Sequence, residues 1–461
     1  MALRHVIGDA GARADQVRLG GSGSSALAMR AAVPKAGGHG LTCGCACRRR
    51  CALALKRSQR GGHVMTLRRL SYLLLALLLI AGSLAGATGT RAQETKPIKI
   101  GAAVHLTGWM AAYDVPPLEG AKLAVKKINE AGGVLGRPLE IIERDGKTDP
   151  ATVGNAAREL IQEGAEVMLA PCDFDYGAPV GQAAQEAGLV GLSFCASSPL
   201  YGSATLGDKQ FTVSMWNQTM AAAAAQYGFE VKGWRRAATI VDQGTEYTKS
   251  LGEYFVETWK HLGGEIVSED TYQLGDMQAR AQAQRLKELN PAPDVVFVTA
   301  NMPDYSAIIR DIRSAGVTAP LMGGDSMDTA DFYKALGPEL GHDIFISTHS
   351  FIGPEAGPAM EQFIKDFQEE YGRPPEVAFN AMGWDAVQII AQGITKAGTT
   401  EGAALAKALE EMEFDLLSGK LDWSDAEHGH FPDKEAFIIE VKDGKPTFVT
   451  RLKPSWTPAI E

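Results

Sequence analysis

The stretch IKIGAAVHLTGWMAAYDVPPLEGAKLAVKKINEAGGVLGRPLEIIERD, residues 98–145, changes its hydrophobic period twice. IKIGAAV (98–104) is a short apolar, β-branched run. LEGAKLAVKKINEAGG (118–133) repeats its apolar residues at helical spacing and stops on two glycines. LEIIERD (139–145) is extended again. Strand, helix, strand in this order predicts two parallel strands joined by a helical crossover.

The alternation continues outward. A helix is predicted over 150–163, a strand over 166–170, a helix over 178–187 and a strand over 190–194. The pattern then restarts, with strands at 236–243, 265–272, 293–300 and 320–324 separated by helices at 248–263, 281–290 and 304–316. Two such series in one chain imply two doubly wound α/β lobes. Between them QFTVSMWNQT (210–219) has strand character and no linker composition, which indicates a structured hinge. Amphipathic helices follow at 359–372, 380–398 and near 403–412, and the last segment reads as strands with a hairpin turn at Asp443-Gly444.

Upstream of Pro97 the sequence has a different character. Residues 1–64 are rich in Gly, Ala and Arg without a sustained period, and a second start at Met65 opens a leader. In it, Arg68 and Arg69 precede an apolar run over 72–81, and Thr90-Arg91-Ala92 forms a small-residue cleavage site. The ten-residue run is short for a membrane span, which needs about 20 residues. We therefore expect a non-native extension over 1–64, a Sec-type signal peptide over 65–92 and a periplasmic mature chain. Of 45 Lys/Arg and 55 Asp/Glu, 14 and 2 respectively lie within 1–92. The remainder is strongly acidic and repels nucleic acid and anionic membrane.

Cys43, Cys45, Cys47 and Cys51 fall in the leader, where no fold positions them for a metal. Cys172 and Cys195 each follow a predicted strand, and an oxidising compartment leaves two readings open, a disulfide or two buried thiols.

IKIGAAVHLTG, the 119–161 block containing INEAGGVLGRPLEI, PLMGGDSMD (320–328) and YGRPPEVAFNAMGWDAVQIIAQGITKAG (371–398) resemble the branched-chain amino-acid (Leu/Ile/Val) binding family of ABC transporter solute receptors, from about Pro97 to Val449. The resemblance implies an α/β type I periplasmic-binding-protein fold. Its two lobes, 97–214 plus 352–421 and 215–351 plus 422–455, are joined by three hinge crossovers. It also implies a monomer that closes on a small molecule and delivers it to an inner-membrane ABC permease and its ATPase subunits, without cofactor or catalysis.

Carried over by position, the family's ligand contacts fall on Cys195, Ala196 and Ser197 after the fourth strand, Tyr113 in the first loop, Tyr247 in the second lobe and Asp325 in GGDS. Where relatives offer serine after the third strand, this chain has Asp173, Phe174 and Asp175. Each residue also has an ordinary structural reading. Asp175 and Ser197 could cap helical turns, Asp173 and Asp325 could be solvated, and Phe174 could be core. Trp109, Trp216, Asn217 and Asn301 complete the candidates. A cleft with aromatic walls, up to three carboxylates and no basic residue favours an amine-bearing ligand. A ligand sensor with the same clamp, or a receptor for an aromatic or other non-amino-acid metabolite, are the alternatives. No nucleophile elbow or phosphate loop supports an enzyme, and His428 with His430 lacks a third metal ligand.

Overall fold

The computed structural model describes residues 95–424 and 429–460. The expected extension, the signal peptide, the four leader cysteines and His428 lie outside the described residues. β1 (Ile98–Val104) pairs in parallel with β2 (Leu139–Asp145) and β3 (Val167–Ala170). With β4 (Gly191–Ser193) and β5 (Gln210–Thr212) they form a five-stranded sheet of order β2-β1-β3-β4-β5. The connections are α1 (Ala111–Glu130), α2 (Pro150–Gln162), α3 (Phe174–Glu186) and a single turn, α4 (Ser203–Leu206). β3 and β4 are wholly buried, the pattern of parallel strands covered on both faces.

The chain then passes through α5 (Asn217–Gln226) into a second sheet. Its parallel strands are β6 (Arg236–Asp242), β7 (Glu265–Tyr272), β8 (Val295–Thr299), β9 (Leu321–Gly323) and β10 (Ile344–Thr348), linked by α6 (Glu246–His261), α7 (Arg280–Glu288), α8 (Asp304–Ser314) and α9 (Ala330–Leu340). After α10 (Pro358–Tyr371), α11 (Ala378–Ala397), α12 (Gly402–Glu410) and the hairpin β11 (Glu413–Leu416)–β12 (Gly419–Asp422), two antiparallel strands rejoin it, β13 (Ala436–Lys442) and β14 (Lys445–Leu452). The order is β14-β13-β10-β9-β8-β6-β7. The β13–β14 turn has positive φ at Asp443 (51°) and Gly444 (73°), as a two-residue type I′ hairpin requires.

Local chemistry sets the helix ends. Asp149 caps α2 by accepting from Thr152 N, Thr245 and Thr248 cap α6 reciprocally, and α10 and α11 end on left-handed Gly372 and Gly398. The structure departs from the sequence reading in several places. The helix after β3 starts at Phe174 rather than 178, because Asp173 caps it. α1 runs upstream of 118, to Ala111, carrying Pro116 and Pro117 within it. Only 210–212 of the 210–219 segment pairs as strand. The alanine-rich α5, the glycine-proline-interrupted α9 and the short β10 were not anticipated.

The chain passes between the sheets three times, after β5, after β10 and before β13, and one buried assembly ties the passages together. Lys434 Nζ, before β13, donates to Val213 O after β5 (2.9 Å) and to Ser418 Oγ in the β11–β12 turn (2.6 Å). The same turn donates Leu417 N and Ser418 N to Asp385 of α11, and Ser350 Oγ, after β10, donates to Leu417 O. Burial lowers Lys434 to about 8 and raises Asp385 to about 6.

α11 crosses α1 at glycines. A Cβ on Gly383 would overlap the Pro117 carbonyl, and one on Gly120 the Asn380 carbonyl. This contact brings the Phe379 ring edge-on to Tyr113, with centroids 5.9 Å apart. Gly383→Ala gains helix propensity but forces the backbones apart. We expect a net loss of about 1–3 kcal/mol, read as a lower urea midpoint, and an unchanged or higher midpoint would contradict the glycine contact.

Candidate functional site

The C-terminal ends of the parallel strands from both sheets converge on a chamber of about 30 Å³. This is where open α/β sheets bind ligands. Cys172 and Asp173 follow β3, Cys195 and Ser197 follow β4, Tyr113 sits in the first turn of α1, and Tyr247 in the first turn of α6. Asn301 follows β8, Asp325 and Ser326 follow β9, and Met110 and Phe379 close the wall.

Asp173 is buried at φ 110° and ψ 137°, a strained backbone for a non-glycine residue. Its Oδ1 accepts from Asp175 N (2.8 Å), so it is the cap of α3 as well as a wall of the chamber. Burial, reinforced by the neighbouring Asp175 carboxylate, pushes its carboxyl well above the usual range. Asp325 approaches from the other sheet. It accepts from Tyr247 Oη at Oδ1 (2.7 Å) and lies 2.8 Å from His349 Nε2 at Oδ2. The partner is a carboxylate, so Nε2 carries the hydrogen. No Lys or Arg lines this chamber.

Tyr113 spans the cleft. Its hydroxyl donates to Ser326 O (3.1 Å) and accepts from Met302 N (2.8 Å). Asp175, exposed and one residue into α3, does not line the chamber. Its Oδ2 accepts from Glu246 N (2.7 Å), so it serves as an anionic cap for α6 across the cleft, where the helix dipole favours a carboxylate. The capping anticipated for Asp175 on its own helix belongs instead to Asp173.

The remaining candidates separate by environment. Cys172 and Cys195 are joined as a disulfide with Cα atoms 4.5 Å apart, which ties the ends of β3 and β4 at the chamber wall. Ser197 Oγ donates to Cys195 O (3.2 Å). Ala196 is buried off the chamber, its N donating to Ser193 Oγ and its O accepting from Thr212 Oγ1. Phe174 packs on the alanine-rich cluster beneath α2 and α3. Trp216 is buried edge-on to Phe431, away from the chamber. Asn217 Nδ2 donates to Tyr247 O and Ser250 Oγ, and Asn301 Nδ2 to Thr245 Oγ1. Trp109 lies outside the chamber, edge-on to Tyr113 and Tyr176. His430 stacks on Phe211 and bonds Gln210 O and Glu410 Oε1, a structural setting.

Sequence reasoning missed Met110, Ser326, Phe379, Asp114 and His349. Ser326 could have been found as the neighbour of Asp325. Phe379 and His349 arrive from the segments after α10 and β10, and nothing in their own stretches marks them.

A family profile described as periplasmic binding protein matches residues 97–446. The Leu/Ile/Val-binding protein BraC3 of Rhizobium johnstonii is 28% identical over 331 residues, covering 71% of this chain and 88% of that protein. The structure superposes on the branched-chain amino acid transporter substrate binding protein LivJ of Streptococcus pneumoniae, in complex with isoleucine, with TM-score 0.71 and 24% identity over 78% of this chain and all of that one. It also superposes on an ABC transporter solute binding protein from R. palustris in complex with benzoate, with TM-score 0.68 and 22% identity over 78% of this chain and 98% of that one.

Beneath the chamber wall Asp114 is fully buried. It accepts from His105 N (2.8 Å) and Cys172 N (2.9 Å), and so fixes the loops after β1 and β3. Desolvation outweighs these two hydrogen bonds and raises its carboxyl to about 7. The folded protein therefore holds this proton more tightly than the unfolded chain. The resulting stability is complete below about pH 4 and is lost as pH rises through about 7. Melting temperature followed from pH 4 to 8 should fall less steeply in Asp114→Asn than in the parent chain, and parallel curves would contradict this assignment.

Proposed function

The chain belongs to the periplasmic binding protein family, and on that footing we propose that it closes around a small amine-bearing molecule, an amino acid or an amine or amide relative of one, and delivers it to an inner-membrane ABC permease and its ATPase subunits. The lobes of this clamp are 97–214 plus 352–421 and 215–351 plus 422–455. The ligand contacts are the residues that meet in the chamber, Tyr113, Asp173, Cys195, Ser197, Tyr247, Asn301 and Asp325.

One observation carries the choice of ligand charge. Two carboxylates, Asp173 and Asp325, face the chamber from opposite sheets, and no basic side chain lines it. Removing an ionised carboxylate from water costs several kcal/mol unless a partner compensates it. An ammonium supplies that partner, and the rings of Tyr113, Tyr247 and Phe379 add cation–π attraction. A ligand that is only a carboxylate, such as the benzoate held by the R. palustris protein, would find no Lys or Arg in the chamber lining to pair with. A cation favours the ionised form of Asp173, so binding an amine releases a proton, and affinity rises with pH until that carboxyl is ionised in the free protein.

Titration calorimetry with L-leucine, phenethylamine and benzoate tests this. We expect heat from the amines and none from benzoate, with proton release measured in buffers of different ionisation enthalpy. Asp173→Asn should weaken amine binding about tenfold or more, the scale of a charge-assisted hydrogen bond. Tight benzoate binding without an amine response would sink the proposal.

Export by the leader at Met65 is part of the same reading. N-terminal sequencing of the protein recovered from the periplasm should begin near Gln93, and a mature start upstream of Met65 would refute it.

A further inference from the structure

The cleft has a second, larger compartment that the reading above leaves without a role. A groove of about 840 Å³ opens outside the inner chamber, between the start of α1 on one side and α8 and α9 on the other. Trp109 and Val115 form one wall, and Met277, Met302 and Ala307 much of the facing one. The partition between the compartments is thin. Tyr113 lines the inner chamber while its hydroxyl accepts from the backbone N of Met302, which lines the groove, and Trp109 meets Tyr113 edge-on at 6.3 Å.

The volumes are unequal in a way that bears on the ligand. The inner chamber, at about 30 Å³, is far smaller than the groove. In this closed arrangement it suits a small polar head and not the whole of a larger molecule. The groove beside it is within the size range of small-molecule sites.

The groove also carries charge of the opposite sign. Arg310 on α8 and Lys334 on α9, both exposed, line it, and neither side chain has a hydrogen bond or ion pair with another described residue. Asp331, one turn before Lys334, is the single acid among the lining residues, so the groove is net positive beside an acidic chamber. This is an acidic protein, with 55 Asp/Glu against 45 Lys/Arg. Two unpartnered cations lining an apolar groove fit an anion brought there on an apolar stem.

We propose that the ligand is elongated and bipolar. Its amine sits in the inner chamber, an apolar or aromatic spacer displaces the Tyr113 bridge to Met302 and runs along Trp109, and a distal carboxylate lies between Arg310 and Lys334. This deepens the amine reading and depends on it.

The test compares two probes that differ only at the far end, phenethylamine and 4-(2-aminoethyl)benzoic acid, by titration calorimetry at low salt. In the parent protein the acid should bind about five- to tenfold tighter, the scale of one or two partly exposed ion pairs. In Arg310→Gln/Lys334→Gln the ratio of the two affinities should fall to within about twofold. Equal affinities in the parent protein, or a preference that survives in the double variant, overturn the distal site while leaving the amine reading intact. Failure of both probes to bind overturns the amine reading itself, and the distal site with it.

Discussion

The chamber between the sheets must accommodate two buried acidic side chains with no Lys or Arg lining it, and much of the site's geometry answers that constraint. Asp325 is stabilised from within by Tyr247 and His349, whose positions depend in turn on the close approach of α6 to Gly324 and on the passage that follows β10. Asp173 is handled differently. Its Oδ1 accepts from the backbone N of Asp175, and desolvation pushes its carboxyl well above the usual range. Asp325 is thus tied to the scaffold through Tyr247 and His349, and Asp173 through the cap of α3.

Closure rests on a few contacts that are individually modest. The Tyr113 hydroxyl bridges to Ser326 and Met302, and the Asp175 carboxylate meets the N-terminus of α6. Each is worth on the order of 1 kcal/mol against water, which suits a clamp that must also release. The hinge is built more firmly. Lys434, Ser418, Asp385 and Ser350 form a buried polar assembly that ties all three passages together. The disulfide between Cys172 and Cys195 similarly fixes the wall from which Asp173 projects.

The lobes themselves were legible because hydrophobic period reports which face of a segment is buried. β1, α2, β7 and α8 fall within a few residues of where the period places them. The segments that escaped lacked that contrast. α5 is alanine-rich and buried nearly all round, so it has no polar face to reveal a helical repeat. α9 is interrupted by Gly337-Pro338, and β10 is short and wholly buried.

For the site, the sequence alone placed Asp173, Phe174 and Asp175 after β3, where a parallel sheet exposes its loops. Only the tertiary structure decided the direction of each side chain. Starting α3 at Phe174 makes Asp173 the cap and chamber wall and leaves Asp175 to cap α6 across the cleft. The physical reason is angular. Asp173 stands outside the helix at φ 110° while Asp175 stands within it, so the position of one helix start sends one side chain to the chamber wall and the other across the cleft to Glu246.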